Sequence, residues 1–216
     1  MESKWQDILK VIHNIPSPTC GGSQPEYLYQ LSLQTKGKGE IVEIGTLMGK
    51  STIALSFAQK EKSGKRVYSI DIAKHKDIQS NLEKAGVLDY VEMIIGASHT
   101  VSFNWDKPIE LLWIDGDHRF MGIYNDILDW APFVIPDGLV VFHDYPGHKN
   151  TTDTHKAIHN LMQSKPDQWR IISDRQHGSI FVMQKLKDEN ITISLLAKVR
   201  NFLFFQKEKV KNIRKK

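Results

Sequence analysis

A chain of 216 residues, 40% apolar and 25% charged, can bury one full hydrophobic core and has ordinary globular composition. Its single cysteine, Cys20, excludes an intrachain disulfide and points to a reducing, cytoplasmic setting, and no apolar run reaches the roughly 20 residues of a membrane span. The net charge of +4 divides into +7 from Lys198 onward and −3 for the rest, which speaks against a nucleic-acid-binding face on the main body.

The opening MESKWQDILKVIHNI mixes charges into an apolar pattern, so a helix near residues 3–13 is expected rather than a secretory signal. The loop PSPTCGGS follows, and a second helix is expected to start near Pro25, a residue suited to a first helical turn. Cys20 in that loop has no obvious base nearby and reads as a plain residue rather than a nucleophile. Then strands and helices alternate. EIVEIG is a strand with a helix through Ala58, RVYSIDI a strand with a helix through Lys84, YVEMIIGA a third strand and IELLWID a fourth. A helix from Phe120 to Trp130 leads to a fifth strand, GLVVFHD. Such alternation implies right-handed βαβ units and a parallel sheet with helices on both faces. After a helix near 153–164, WRIISD and SIFVMQK flank RQHGS and read as an antiparallel hairpin. The expectation is thus an α/β, Rossmann-like fold with a seven-stranded, mostly parallel sheet closed by an antiparallel C-terminal hairpin. Its expected division is N-terminal helices and a substrate-side cap over 1–37, a catalytic domain over 38–187 and a basic helix or tail over 188–216.

The strongest local signal is IVEIGTLMGKS, residues 41–51, where a strand ends, Gly45 and Gly49 bracket a turn, and a helix begins. Glycines let a backbone approach a ligand closely, and a helix N-terminus offers free N–H groups. A phosphate-binding P-loop needs four residues between its glycines, whereas only Thr46, Leu47 and Met48 stand here. The dinucleotide fingerprint also lacks its second glycine. Two carboxylates accompany the turn instead: Glu43, two positions before Gly45, and Asp71, at the end of the next strand, where a carboxylate can accept both hydroxyls of a ribose.

IVEIGTLMGKS, YSIDI, AGVLDYVEMIIGASHTV and LLWIDGDH, in this order, resemble the catechol O-methyltransferase group of the class I S-adenosylmethionine-dependent methyltransferases. DGDHRFMGIYNDILDWAPFVIPDGLVVFHDY also resembles the macrocin and sugar O-methyltransferases. The likeness covers residues 38–145. It implies S-adenosylmethionine as cofactor, with Glu43 near its methionine end, Ser51 on the methionine carboxylate, Asp71 on the ribose, and Ser98 and His99 along the adenine. Gly45, Thr46, Gly49, Ile72, Ala97 and Asp115 complete the expected cofactor contacts.

Asp115 and Asp144 end the fourth and fifth strands and should meet on the ligand side of the sheet. Two carboxylates together repel unless a cation separates them, and Mg²⁺ is commonly held by one or two carboxylates plus water and substrate. A cation there would lower the pKa of an acceptor hydroxyl, and a base would take its proton. Asp117 and His118 are the candidate bases. By the resemblance, His118 falls where catechol enzymes place a catalytic lysine, and Asp117 where the sugar enzymes place a base; His118 is preferred because an unperturbed histidine side chain suits proton transfer at neutral pH. Catechol enzymes follow their second metal Asp with an Asn ligand, but Tyr145 stands here. His143 is the other candidate ligand, although its side chain should point away from that of Asp144 on a regular strand. His148, His155 and His159 lack a HExxH pattern and read as a solvated face.

The expected activity is methylation of a small hydroxylated molecule, phenolic or sugar, assisted by Mg²⁺ or another divalent cation. The alternatives are a metal-independent N-methyltransferase, a non-catalytic cofactor-binding protein, and a P-loop-like nucleotide-binding protein. Residues 191–205 (ITISLLAKVRNFLFF), followed by the basic tail, suit packing on the same domain, a homodimer contact, or weak contact with an anionic membrane surface.

Overall fold

The computed structural model describes residues 2–145, 152–164, 166–174 and 177–187. The predicted C-terminal helix over 191–205, the basic tail and His148 lie outside them. The elements run α1 (Glu2–His13), α2 (Gln24–Gln34), β1 (Glu40–Ile44), α3 (Lys50–Glu61), β2 (Val67–Asp71), α4 (Ile78–Lys84), β3 (Val91–Ile95), α5 (Ser98–Ser102), β4 (Ile109–Ile114), α6 (Phe120–Trp130), β5 (Val134–Phe142), α7 (Thr152–Ser164), β6 (Trp169–Asp174) and β7 (Phe181–Lys185). The seven strands form one sheet in the order β3-β2-β1-β4-β5-β7-β6. Strands β1 to β5 pair in parallel, whereas β7 runs antiparallel to both β5 and β6. This is the mostly parallel sheet with an antiparallel C-terminal hairpin that the alternation predicts.

Successive strand residues serve opposite faces, so each central strand feeds two cores. Val42, Ile44, Leu112, Ile114, Val140 and Phe142 pack with Ile123, Ile127 and Trp130 of α6 and with α7. Ile41, Leu111, Trp113 and Val141 pack with α1 to α4 on the other face. Trp113, Trp130 and Phe142 are fully buried, and a large apolar side chain so placed contributes about 1.5–3 kcal/mol. Burial on both faces explains why these strands are almost continuously apolar.

Two boundaries differ from expectation. Strand β5 starts at Val134, before the predicted Gly138, because the chain passes through an irregular stretch with Asp137 in the left-handed region (φ +67°) and still pairs Val134 with Ile109. The short helix α5 goes unpredicted, since five residues carry too little periodicity to register.

Candidate active site

The parallel register aligns the C-terminal ends of the strands. Ile44, Ile114 and Phe142 are cross-strand partners, and the ladder continues as Gly45 N–H donates to Ile70, Asp115 N–H to Ile44, and His143 N–H to Ile114. Gly45, Asp115 and His143 therefore stand side by side on the edge where open α/β sheets bind ligands. The close packing explains the glycine: with φ +92°, a Cβ at Gly45 would sit 2.2 Å from the Asp115 carbonyl oxygen. Gly49 (φ +87°) opens α3, and a Cβ there would meet Ile78 at 2.4 Å.

The turn between these glycines is tied to Asp71. Its Oδ2 accepts the backbone N–H of Thr46 at 2.9 Å and of Leu47 at 3.0 Å, and its Oδ1 accepts that of Ala73. Leu47 and Ile72 leave apolar surface exposed beside this carboxylate, Ile72 to 79%. Lys50, the residue a nucleotide-binding turn would aim at phosphate, instead donates to the Ser17 carbonyl at 2.7 Å.

Glu43 lies behind the turn, fully buried. Ser51 donates to its Oε1 at 2.5 Å, and Thr52 and Ser69 donate to its Oε2 at 2.6 and 2.5 Å. Burial pushes its pKa up to about 7, with the three hydroxyls opposing the rise and the Asp115 charge adding to it. The Ser51 hydroxyl thus faces Glu43, inside the fold. On the next strand end, Ser98 donates to Asp126, and His99 Nδ1 lies 2.8 Å from Asp129 Oδ2. Burial likewise raises Asp126 to about 7, helped by the charges of Asp129 and Asp117 and opposed by Ser98. Ala97 precedes α5 as its cap.

Asp115, His118, His143 and Asp144 converge. His143 Nδ1 lies 2.9 Å from Asp115 Oδ1 and 3.4 Å from Asp144 Oδ1. His118 places Nδ1 3.4 Å from Asp144 Oδ2 and Nε2 3.9 Å from Asp115 Oδ1. The expectation that His143 and Asp144 point apart fails: β5 ends at Phe142, and Asp144 adopts a left-handed φ of +57°, which breaks strand alternation. Burial disfavours an imidazolium at His143, but the facing carboxylates of Asp115 and Asp144 outweigh it and hold the pKa above the usual histidine value. Asp117 is turned away to Arg119, which grips it through Nε and Nη2 at 2.6–3.0 Å; this bond holds its pKa below the usual carboxylate range. Tyr145 is buried and stacks on Phe181 at 4.2 Å, so a core residue stands where the resemblance expects an asparagine ligand. The Cys20 thiol is buried and its pKa is pushed well up, first by burial and then by Asp115 and Glu43.

Among the described residues, no group of three or more His, Cys, Asp or Glu side chains is arranged to hold a metal ion. Asp115 Oδ1 and His143 Nδ1 are nevertheless buried without an aligned hydrogen-bond partner, although only 2.9 Å apart. The carboxylate oxygens of Asp115 and Asp144 are donors of the type a hard divalent cation takes. The rings of His155 and His159 lie 4.0 Å apart on α7, tilted by 37°. No helix among the described residues is long and apolar enough to cross a membrane.

Residues 42–145 match the family described as a methyltransferase domain. Over 133 residues the chain is 30% identical to a catechol O-methyltransferase of Mycobacterium tuberculosis (60% of this chain, 58% of that protein). Over 132 residues it is 26% identical to protein R132 of Acanthamoeba polyphaga mimivirus (56% of this chain, 58% of that protein). The chain thus spans rather more than half the length of these relatives. An O-methyltransferase from Bacillus cereus in complex with SAH superposes with a TM-score of 0.63 at 21% identity, covering 87% of this chain and 92% of that one. Matched span and sheet order agree: residues 42–145 are similar to a methyltransferase domain, and the chain has the fold of the superposed Bacillus cereus O-methyltransferase.

Proposed function

We propose that this protein methylates a hydroxyl oxygen of a small molecule, using S-adenosylmethionine and a divalent cation. The observation that carries the reading is the convergence of Asp115, Asp144, His118 and His143 beside the glycine turn. S-adenosylmethionine would supply an electrophilic methyl group, and a divalent cation, held by Asp115 and Asp144, would supply a positive charge that favours an ionised acceptor oxygen. Around them the chain does the positioning. The turn from Gly45 to Gly49 and the exposed edges of Leu47 and Ile72 hold the cofactor, with the Asp71 carboxylate available to its ribose. Ser98 and His99, anchored on Asp126 and Asp129, border the adenine side.

His118 takes the acceptor proton. It is 42% exposed, so it reaches an acceptor, and its ring lies within 4 Å of Asp115 and Asp144. Asp117 is a weaker base, since its bond to Arg119 favours the ionised form. Transfer of labelled methyl from S-adenosylmethionine to a panel of phenols and sugars tests the reading, with and without chelator. Chelation should abolish transfer and Mg²⁺ or Mn²⁺ should restore it; full activity in chelator would overturn the cation and leave acid–base catalysis.

A further inference from the structure

The resemblance assigns Ser51 to the methionine carboxylate of the cofactor, but its hydroxyl is already committed. A hydroxyl has one hydrogen and a carboxylate only accepts, so the 2.5 Å bond to Glu43 Oε1 uses that hydrogen. Ser51 is left with lone pairs, which suit no incoming anion. Its neighbour differs. Lys50 opens α3 directly after Gly49, is only 8% exposed, and carries three hydrogens on its ammonium. The Ser17 carbonyl takes one of them at 2.7 Å, and among the described residues this is its one hydrogen bond.

The loop that Lys50 holds shows where the ammonium stands. Beyond Ser17 the chain reaches Gly21, whose N–H donates to Gln24 Oε1 at 3.1 Å, and that oxygen lies 3.2 Å from His143 Nε2. One end of the loop is thus tied to the glycine turn after β1 and the other to the end of β5, with the end of β4 between them. Burial and then the charges of Asp115 and Glu43 raise the pKa of Cys20 in this loop, whereas the charge of Lys50 lowers it, so ammonium and carboxylates act on one thiol. A cation in the first turn of a helix is opposed by the helix dipole, and a buried charge is costly without a partner. An anion arriving at Lys50 relieves both.

We propose that Lys50 is a cofactor-binding residue: its ammonium receives the carboxylate of the methionine moiety while it keeps hold of the loop at Ser17. The inference rests on the reading that S-adenosylmethionine binds at the glycine turn. The same side chain then joins cofactor and loop, and the ligand carboxylate takes the place that Ser51 cannot serve.

Calorimetry compares S-adenosylhomocysteine with decarboxylated S-adenosylhomocysteine, which keeps the amine and lacks the anion. The wild type should bind the first about tenfold or more tighter. Lys50→Met should reduce this ratio to about threefold or less, and Lys50→Arg, which keeps the charge, should restore most of it. A purely structural role would weaken both ligands alike and leave the ratio intact. A ratio unchanged in Lys50→Met, or no preference in the wild type, overturns the proposal. Should Lys50→Met fail to fold, the ¹H–¹⁵N signal of the Lys50 ammonium in the wild type, assigned through Lys50→Arg, decides. It should move on addition of S-adenosylhomocysteine and much less with the decarboxylated ligand, and equal movement overturns the proposal. If S-adenosylhomocysteine does not bind the wild type, the cofactor reading fails and the proposal with it, whereas binding with an unchanged ratio removes only the role of Lys50.

Discussion

The carboxylate of Asp71 accepts the backbone N–H of Thr46, so the residue assigned to the cofactor ribose also closes the glycine turn. The two duties separate by substitution. Asp71→Ala should weaken S-adenosylhomocysteine by about 1–3 kcal/mol in calorimetry and lower the melting temperature, because the Thr46 and Leu47 N–H groups lose their acceptor. Asp71→Asn keeps an acceptor oxygen and should recover most of the stability but not the affinity. Unchanged affinity in both variants would remove Asp71 from the cofactor site.

The two candidate bases should differ sharply. His118→Gln is expected to reduce kcat by about 10²–10⁴, the usual range for loss of a general base. Asp117→Asn should cost far less, since Arg119 already occupies that carboxylate. Steady-state kinetics on any acceptor found in the panel decides between them; equal losses would show that Asp117 acts on the acceptor as well.

Asp126 makes folding pH-dependent. Its pKa is about 7 in the fold, against the ordinary aspartate value near 4 when unfolded. The folded state therefore binds the extra proton, and this contribution is complete below about pH 4, falls as pH rises towards 7 and is gone above it. Between pH 5 and 8 the loss is about 2–3 kcal/mol. Denaturant unfolding of Asp126→Asn should show a shallower decline over that range by about that amount, and an identical slope would refute the burial-driven shift.

Gly45→Ala should be strongly destabilising. The new Cβ would meet backbone of Asp115 at 2.2 Å, where no flexible side chain can yield, and alanine resists the left-handed φ. A loss of about 3 kcal/mol or more, with weakened cofactor binding, is expected from thermal and calorimetric measurements.

The sheet was legible because the strands buried on both faces announce themselves as apolar runs, and four of these runs lead into Gly45, Asp71, Asp115 and Asp144. That Asp115 and Asp144 both come to His118 and His143 follows from the rule that parallel strands bring their C-terminal ends together. What stayed hidden depended on single backbone angles or long-range contacts. Nothing in FHDY signals that Asp144 turns left-handed and swings toward His143. Arg119 two residues beyond Asp117 was visible, but its grip on that carboxylate was not. Gln24 carries no motif at all, and its link to His143 spans 119 residues of separation. Ser51 fits a cofactor position by resemblance, yet the pairing with Glu43 depends on the exact rotation of α3 over β1.

The position of β7 has a consequence for how the molecule is made. The strand nearest the end of the sheet sequence is not at the sheet's edge but inserted between β5 and β6. While a ribosome is still synthesising the chain, Leu139 to Phe142 of β5 present an unsatisfied row of amides and carbonyls, and Phe142 lacks its eventual neighbour Phe181. Such an open, apolar edge invites pairing with another nascent chain. Completion of the sheet must therefore wait for Phe181–Lys185, which pairs with both β5 and β6.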